Sequence, residues 1–461
     1  MWVAVFFLMA VFLMGGGARA DIQSLIILRP LAAICMGIAV WGLRREQIAA
    51  VRAPLLLAAM VPLIMILQLV PLPPAIWTEL PGRELYALAA PLAGIEQPWR
   101  PISLVPFRTW NSLFAWLIPI TTILLIARLG REQRLALLPV LIGLGLMSGV
   151  LGLAQAIGPR DGPLYLYEIT NNGSAVGLFA NRNHQAALLA CLFPMLAVYA
   201  SIDHPSAERM RLKFALCASV ALFILPLLLV TGSRAGLVLG VIGLLAGALL
   251  YRHPRRHQPK AWASRQFRLQ YVIGGAAVLG LGGVTALLSR AEAIDRLLMK
   301  DETEELRLQL LQPIWEIIGT YFPFGAGLGT FPDVYKVHEP FELLSVAYVN
   351  HAHNDLLEFV LEGGLAAVVV LLIGIVAWVI GVTRLRSGEA EVGRSILLGR
   401  LGAAIILILG IASIVDYPLR VPSLSAVFII AMIWMAFAAR PSISREVRDD
   451  AAGHISRAIH D

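Results

Sequence analysis

Stretches of about 17 to 25 apolar residues recur along the whole chain, each long enough to cross a hydrocarbon core of roughly 30 Å as a helix. In lipid the backbone has no water to bond with, so such stretches must close their hydrogen bonds internally and are helices. Twelve can be marked out, at 2–17, 23–41, 53–70, 111–127, 135–157, 185–201, 214–231, 235–250, 270–288, 356–382, 401–415 and 424–439. The chain is 58% hydrophobic and only 15% charged over 461 residues, too apolar for a water-soluble fold of this length. The expected class is an all-α integral membrane protein with about twelve transmembrane helices. Residues 1–17 have the length of a signal peptide and GGGARAD looks cleavable, but no basic residue precedes the apolar run. It is read as a retained first helix.

The formal charge of +7 raises the question of nucleic acid, and the distribution of charge answers it. With the N-terminus inside, the inward segments are 42–52, 128–134, 202–213, 251–268, 383–400 and 440–461. These 88 residues hold 23 of the 37 Lys and Arg, and the longer outward segments hold 13. Positive charge collects in the cytoplasm, so both termini, including the tail 440–461, are expected there. The run YRHPRRHQPK at 251–260 reads as a topology anchor against anionic headgroups, with no nucleic-acid partner implied. Cys35, Cys191 and Cys217 lie inside apolar runs, where they pack helices and offer no disulfide framework.

The same alternation yields three sizeable outward loops within a single membrane domain, at 71–110, 158–184 and 289–354. The inward loops are short and basic, so any chemistry faces outward. In TGSRAG, 231–236, Arg234 sits at the outer surface. It is either a snorkelling turn residue or an anion clamp, since a guanidinium fork matches phosphate oxygens. In ELRLQLLQPIWEIIGTYFPFGAGLGTF, 305–331, Arg307 opens an amphipathic helix with Leu310, Leu311, Ile314 and Ile318 on one face. The glycines that follow suit a turn that lets backbone pack closely, not a nucleotide loop.

VNHAHNDLLEFVLEGG, 349–364, stands at the mouth of the tenth run. Asn354 and Asp355 make a good helix start, and His353 is thereby held at an outer helix N-terminus, where a neutral imidazole can take a hydroxyl proton. His351 is read as a solvated loop residue on a flexible approach. His351, His353 and Asp355 have spacing that a metal could use, but no further ligand cluster supports one, and no metal is expected. Glu362 lies inside the apolar run and needs a partner there, so a structural or relay role is expected of it. In FANRNHQAALLA, 179–190, Asn181 and Asn183 can cap the sixth helix and bind sugar hydroxyls, with Arg182 and His184 adding donors.

Taken in order, LQLVPLPPAIW, FANRNHQAALL, TGSRAGL, GAGLGTF and HAHNDLLEFVLEGG resemble the O-antigen ligase and polymerase superfamily of bacterial membrane proteins over most of the chain. The resemblance implies a multi-helix glycosyltransferase architecture of the GT-C kind. It implies transfer of a glycan from undecaprenyl diphosphate to an acceptor hydroxyl on the outer side of the inner membrane, without metal, nucleotide or other cofactor. The acceptor would be lipid A core in a ligase, or a growing O-antigen or exopolysaccharide in a polymerase. The family's essential histidine maps onto His353, and its arginines onto Arg234 and Arg307. Asn181, Arg182, Asn183, Asn354 and Glu362 are the expected substrate contacts. The sequence NRN departs from relatives that carry proline or a small residue between the asparagines, which leaves the part of Arg182 open. A rival class is a polysaccharide or lipid transporter. Twelve helices would suit it, but intramembrane charges are few, Arg29 and Glu362 chiefly, and inverted repeats are not evident. An inactive scaffold is a third reading.

Overall fold

A computed structural model describes residues 1–203, 206–253, 302–344, 348–386 and 393–439. Its long helices are α1 (Trp2–Met14), α2 (Leu25–Trp41), α3 (Arg52–Gln68), α4 (Pro106–Ala127, two segments meeting at Trp116), α5 (Arg131–Ile157), α6 (Arg182–Ser201), α7 (Ala207–Val230), α8 (Arg234–Leu250), α9 (Glu302–Tyr321), α10 (Phe331–His338), α11 (Asp355–Arg386), α12 (Arg394–Val415) and α13 (Pro422–Ala438). All the expected apolar runs but one coincide with helices among these. The exception, 270–288, lies outside the described residues, as do most of 251–268 and the tail 440–461. Among the described residues, six helices are long and apolar enough to cross a membrane, namely α4, α5, α6, α7, α11 and α12. α1, α2, α3, α8 and α13 are apolar but shorter.

α6 is the innermost helix, with α5, α7, α8 and α12 packed around it. Glycine permits the closest of these approaches. A Cβ at Gly243 of α8 would lie 2.3 Å from the Ala190 carbonyl oxygen of α6, so only glycine fits. Cys35, Cys191 and Cys217 are buried free thiols, packing as expected. α11 lies at the periphery and turns Leu372, Ile375 and Val376 outward, a face suited to hydrocarbon. At the bundle end formed by the C-termini of α2, α4, α6, α8, α11 and α13, arginines meet exposed carbonyls. Arg128 bonds the Ile38 carbonyl at 2.6 Å and Arg400 that of Leu385 at 2.9 Å. Cations at helix C-termini complement the dipole.

The other end carries a further layer with its own core. Leu310, Ile314, Ile317, Ile318 and Tyr321 of α9 pack on Phe331, Val334 and Tyr335 of α10 and on Leu361 of α11. The face differs from the expected one in a single respect. Leu311 is 38% exposed and Ile317 takes its place, because the stripe follows i, i+4, i+7, i+8. α9 is already formed at Glu302, so Arg307 lies within the helix and does not open it. The Arg307 side chain lies outside the described residues. The segment 71–110 adds an unanticipated two-residue ladder, β1 (Pro71–Leu72) antiparallel to β2 (Arg100–Pro101), with Pro71 opposite Pro101.

These parts meet at a break in α11. Gly364 has φ +59° and ψ −142°, which divides the helix into a polar first segment and an apolar remainder. The break frees carbonyls that the GAGLG turn then satisfies. The amides of Ala326 and Gly327 donate to the Leu361 and Glu362 carbonyls at 3.1 and 2.9 Å, and the Leu365 amide donates to that of Pro323 at 2.8 Å. Gln68 of α3 donates to the Glu362 carbonyl at 2.8 Å and accepts from the Leu328 amide at 2.9 Å. Gly325, Gly327 and Gly329 all have positive φ, a conformation open to glycine at little cost. The turn is thus a backbone clasp, as its sequence suggests.

Candidate active site

Three helices begin side by side, each with a side-chain cap. Asn181 caps α6 by accepting from the Asn183 amide at 2.9 Å. Ser233 caps α8 by accepting from the Gly236 amide at 2.9 Å. Asn354 caps α11 by accepting from the Leu356 and Leu357 amides at 3.1 and 3.0 Å. Asn, Ser and Asp are favoured at this position because they satisfy otherwise orphaned amides. The caps are also tied to one another. The Ser233 hydroxyl donates to Asn183 Oδ1 at 2.7 Å, and the Asn181 and Asn183 carboxamides both donate to Asp416 Oδ2, at 3.1 and 2.5 Å. The Asp355 amide donates to the Asp416 carbonyl at 3.2 Å. Three positive helix ends therefore converge around Asp416.

His353 stands at this junction. It is the one non-glycine residue with positive φ among the described residues, at +50°, and such strain is held only where the surroundings fix it. Its Nδ1 lies 3.3 Å from Asp416 Oδ1, and its ring centroid is 5.1 Å from that of Tyr417. An ionised carboxylate only accepts, so this contact favours the tautomer of a neutral imidazole with the proton on Nδ1 and the lone pair on Nε2. The side chain is 25% exposed, which gives Nε2 a route to a ligand.

His351 is not the solvated residue that its loop position suggests. It is buried, its Nδ1 is 2.8 Å from Glu358 Oε1, and its ring centroid lies 4.3 Å from that of Tyr417. Glu358 holds the turn from both sides, because its other oxygen accepts from the Ala352 amide at 2.7 Å. The approach to α11 is therefore clamped. Sequence reading missed this because Glu358 looks like an ordinary first-turn acid.

Beneath the histidines, Asp355, Glu358 and Glu362 line one face of α11 at i, i+3 and i+7 and converge on Arg420 at 3.2, 3.1 and 3.1 Å. Burial opposes the charge on Arg420, but Glu358, Glu362 and Asp355 outweigh it and raise the guanidinium well above its ordinary range. Glu362 is fully buried, and its other oxygen accepts from the Phe331 amide at 3.0 Å. Both its oxygens are occupied inside the protein. It pins α10 and the glycine turn to α11.

Of the expected site residues, His353, Asn181, Asn183 and Asn354 are brought together, with Arg234 half-buried at the first position of α8 beside Ser233. Arg182 is half-buried at the start of α6, and its amide donates to Asn171 Oδ1 at 3.0 Å. His351, His353 and Asp355 are not a common ligand set, since they turn to Glu358, Asp416 and Arg420 respectively. Asp416, Tyr417 and Arg420 were missed by sequence reading. DYPLR interrupts the last two apolar runs, and that charged interruption was the available signal.

Residues 219–372 match a family model described as O-antigen ligase. The matched segment includes TGSRAG, α9, the glycine turn and the HAHND helix start. It favours glycan transfer over transport. No curated protein matches the chain.

Proposed function

We propose that this chain, a member of the O-antigen ligase and polymerase superfamily through its residues 219–372, moves a glycan from undecaprenyl diphosphate to an acceptor hydroxyl at the periplasmic face of the bacterial inner membrane. The observation that carries the reading is His353, strained, partly exposed and backed by Asp416 where three helix N-termini meet. The acceptor oxygen attacks C1 of the donor sugar as its proton passes to His353 Nε2. Asp416 then stabilises the imidazolium. The C1–O bond breaks with its electron pair going to the diphosphate, and attack from the opposite face inverts the anomeric centre. Arg234 and the helix N-termini offset the charge gathering on the leaving group, with Arg307 the second candidate cation. No metal or cofactor is invoked. Asn181 and Asn183 orient Asp416, and Arg182 stands at the rim. The wider architecture is read as twelve spans of GT-C type. Ligase onto lipid A core and polymerase of O-antigen or exopolysaccharide share this chemistry.

The test is transfer by purified protein in EDTA from an undecaprenyl-diphosphate glycan. Wild type is expected to be active, and Arg234→Lys to lose most activity, because lysine keeps the charge but not the planar fork. Full activity in Arg234→Lys would reduce this arginine to a snorkelling turn residue, and a need for added divalent cation would overturn the metal-free step.

The basic residues at one bundle end support both termini in the cytoplasm, with 71–110, 158–184 and 289–354 outside. The native cysteines are buried, so single cysteines report cleanly. A cysteine at exposed Glu342 should label in intact cells with an impermeant reagent, and one at exposed Glu46 only after lysis. The reverse pattern would invert the topology.

A further inference from the structure

A small cavity lies at the bundle end that carries Arg128 and Arg400. The length of α12, about 30 Å at 1.5 Å per residue, separates it from Asp416. Its walls come from the starts of α5 and α12 and the end of α13, with Arg131, Arg134, Arg394, Ser395, Trp434 and Phe437 among them. Trp434 is 1% exposed, and its indole N–H is buried with no hydrogen-bond partner among the described residues. A buried donor without an acceptor is rare in folded proteins and calls for a reason.

The surrounding groups supply more donors. Arg128 and Arg400 direct theirs to helix carbonyls, at 2.6 and 2.9 Å. Arg131 does not. Among the described residues it bonds no carbonyl and pairs with no carboxylate, and Arg394 makes one long bond of 3.5 Å to the Asp203 carbonyl. Arg134 is fixed in place, donating to the Leu129 carbonyl at 2.7 Å with its guanidinium 3.6 Å from the Phe437 ring centroid. Arg131 is the first residue of α5, and Arg394 and Ser395 open α12, helices of 27 and 22 residues. Two positive helix ends thus meet at one cavity. Exposed Glu132 is the one acid in its lining, against three arginines.

Indole and guanidinium groups only donate, so the lining selects an anion rich in acceptors, and guanidinium forks match phosphate oxygens. The depth narrows the source. Trp434 lies four residues before the last of α13, about 6 Å inside the helix end. Indoles and arginines at that level stand among lipid headgroups. We infer that this cavity is a phosphate site, filled by the headgroup of an anionic phospholipid from the leaflet at this end of the bundle. A soluble phosphate shares the chemistry and is separated by the test. The site is distinct from glycan transfer and stands whether or not that reading does.

Purified full-length protein, stripped of lipid in detergent, is titrated with phosphatidylglycerol or phosphatidylcholine, with and without millimolar inorganic phosphate. Native mass spectrometry counts the lipids bound. Wild type should hold a first phosphatidylglycerol several-fold more tightly than later copies and than phosphatidylcholine. Trp434→Phe keeps the ring and removes the N–H, and should weaken the first copy by roughly tenfold or more, the worth of a hydrogen bond to a charged group. Arg131→Gln and Arg394→Gln, both at exposed positions, should each weaken it several-fold, and the pair should erase the difference between first and later copies. Arg45→Gln, which removes another exposed arginine at the same end, should bind as wild type does. Unchanged first-copy retention in Trp434→Phe or in the pair, an equal loss in Arg45→Gln, or equal retention of phosphatidylcholine would each overturn the site. Displacement of the first copy by inorganic phosphate would overturn the lipid as its occupant and assign the cavity to a soluble phosphate.

Discussion

Alanine in place of His353 is expected to slow glycan transfer by about 10²–10⁴, the usual cost of losing a general base, with the protein at normal abundance in the membrane. The side chain makes one polar contact, to Asp416, and is partly exposed, so its removal leaves little buried that is unsatisfied. Alanine also tolerates φ +50° poorly, so His353→Asn, which is more at ease there, is the cleaner control and should be equally inactive. Asp416→Asn should lose activity too, since a carboxamide can present its N–H and select the wrong tautomer. The measurement is a single-turnover rate per folded molecule. His351→Ala separates the two histidines. It should reduce abundance, because it strips a partner from buried Glu358, but keep the rate of the molecules that fold. Equal losses of rate in the two alanine variants would mean that the base is wrongly assigned.

The largest effect on stability is expected at Arg420. Replacing it with glutamine leaves Asp355, Glu358 and Glu362 buried together without a counter-charge. Breaking one buried pair costs roughly 3–5 kcal/mol, and three carboxylates share this cation. Arg420→Gln should therefore be nearly absent from the membrane, or unfold far below wild type in detergent. Arg420→Lys should fall between, because an ammonium cannot reach three carboxylates in the geometry of the fork. Glu362→Gln in the Arg420→Gln background should recover part of the loss by removing one stranded charge. A stable Arg420→Gln protein with an intact clasp would show that the cluster does not hold α11 in place.

Much of this was legible in the sequence. The apolar runs mark the helices because lipid leaves the backbone no other arrangement, and the glycines of GAGLG announce a turn that must approach another backbone. Asn354 and Asn181 are readable as caps because capping is a local transaction between a side chain and amides two or three residues away. His353 could be singled out for the same reason, since it precedes a recognisable helix start.

What joins these pieces was decided by tertiary structure alone. Asp416 lies 63 positions from His353 and 233 from Asn183, and no local pattern links them. His351 looked solvated because its partner, Glu358, resembles a surface acid until Arg420 arrives from a different helical hairpin. The break at Gly364 was likewise hidden inside the tenth apolar run, and becomes stable only when Pro323, Ala326 and Gly327 bond the groups it leaves open. Sequence by itself determined where the chain becomes helix and which helix starts bear polar groups, because hydrophobicity and capping act over a few residues. The tertiary structure determined which carboxylate turns His353 into a base and which cation lets three buried acids stand together, because Coulomb and hydrogen-bond partners are chosen by distance in space.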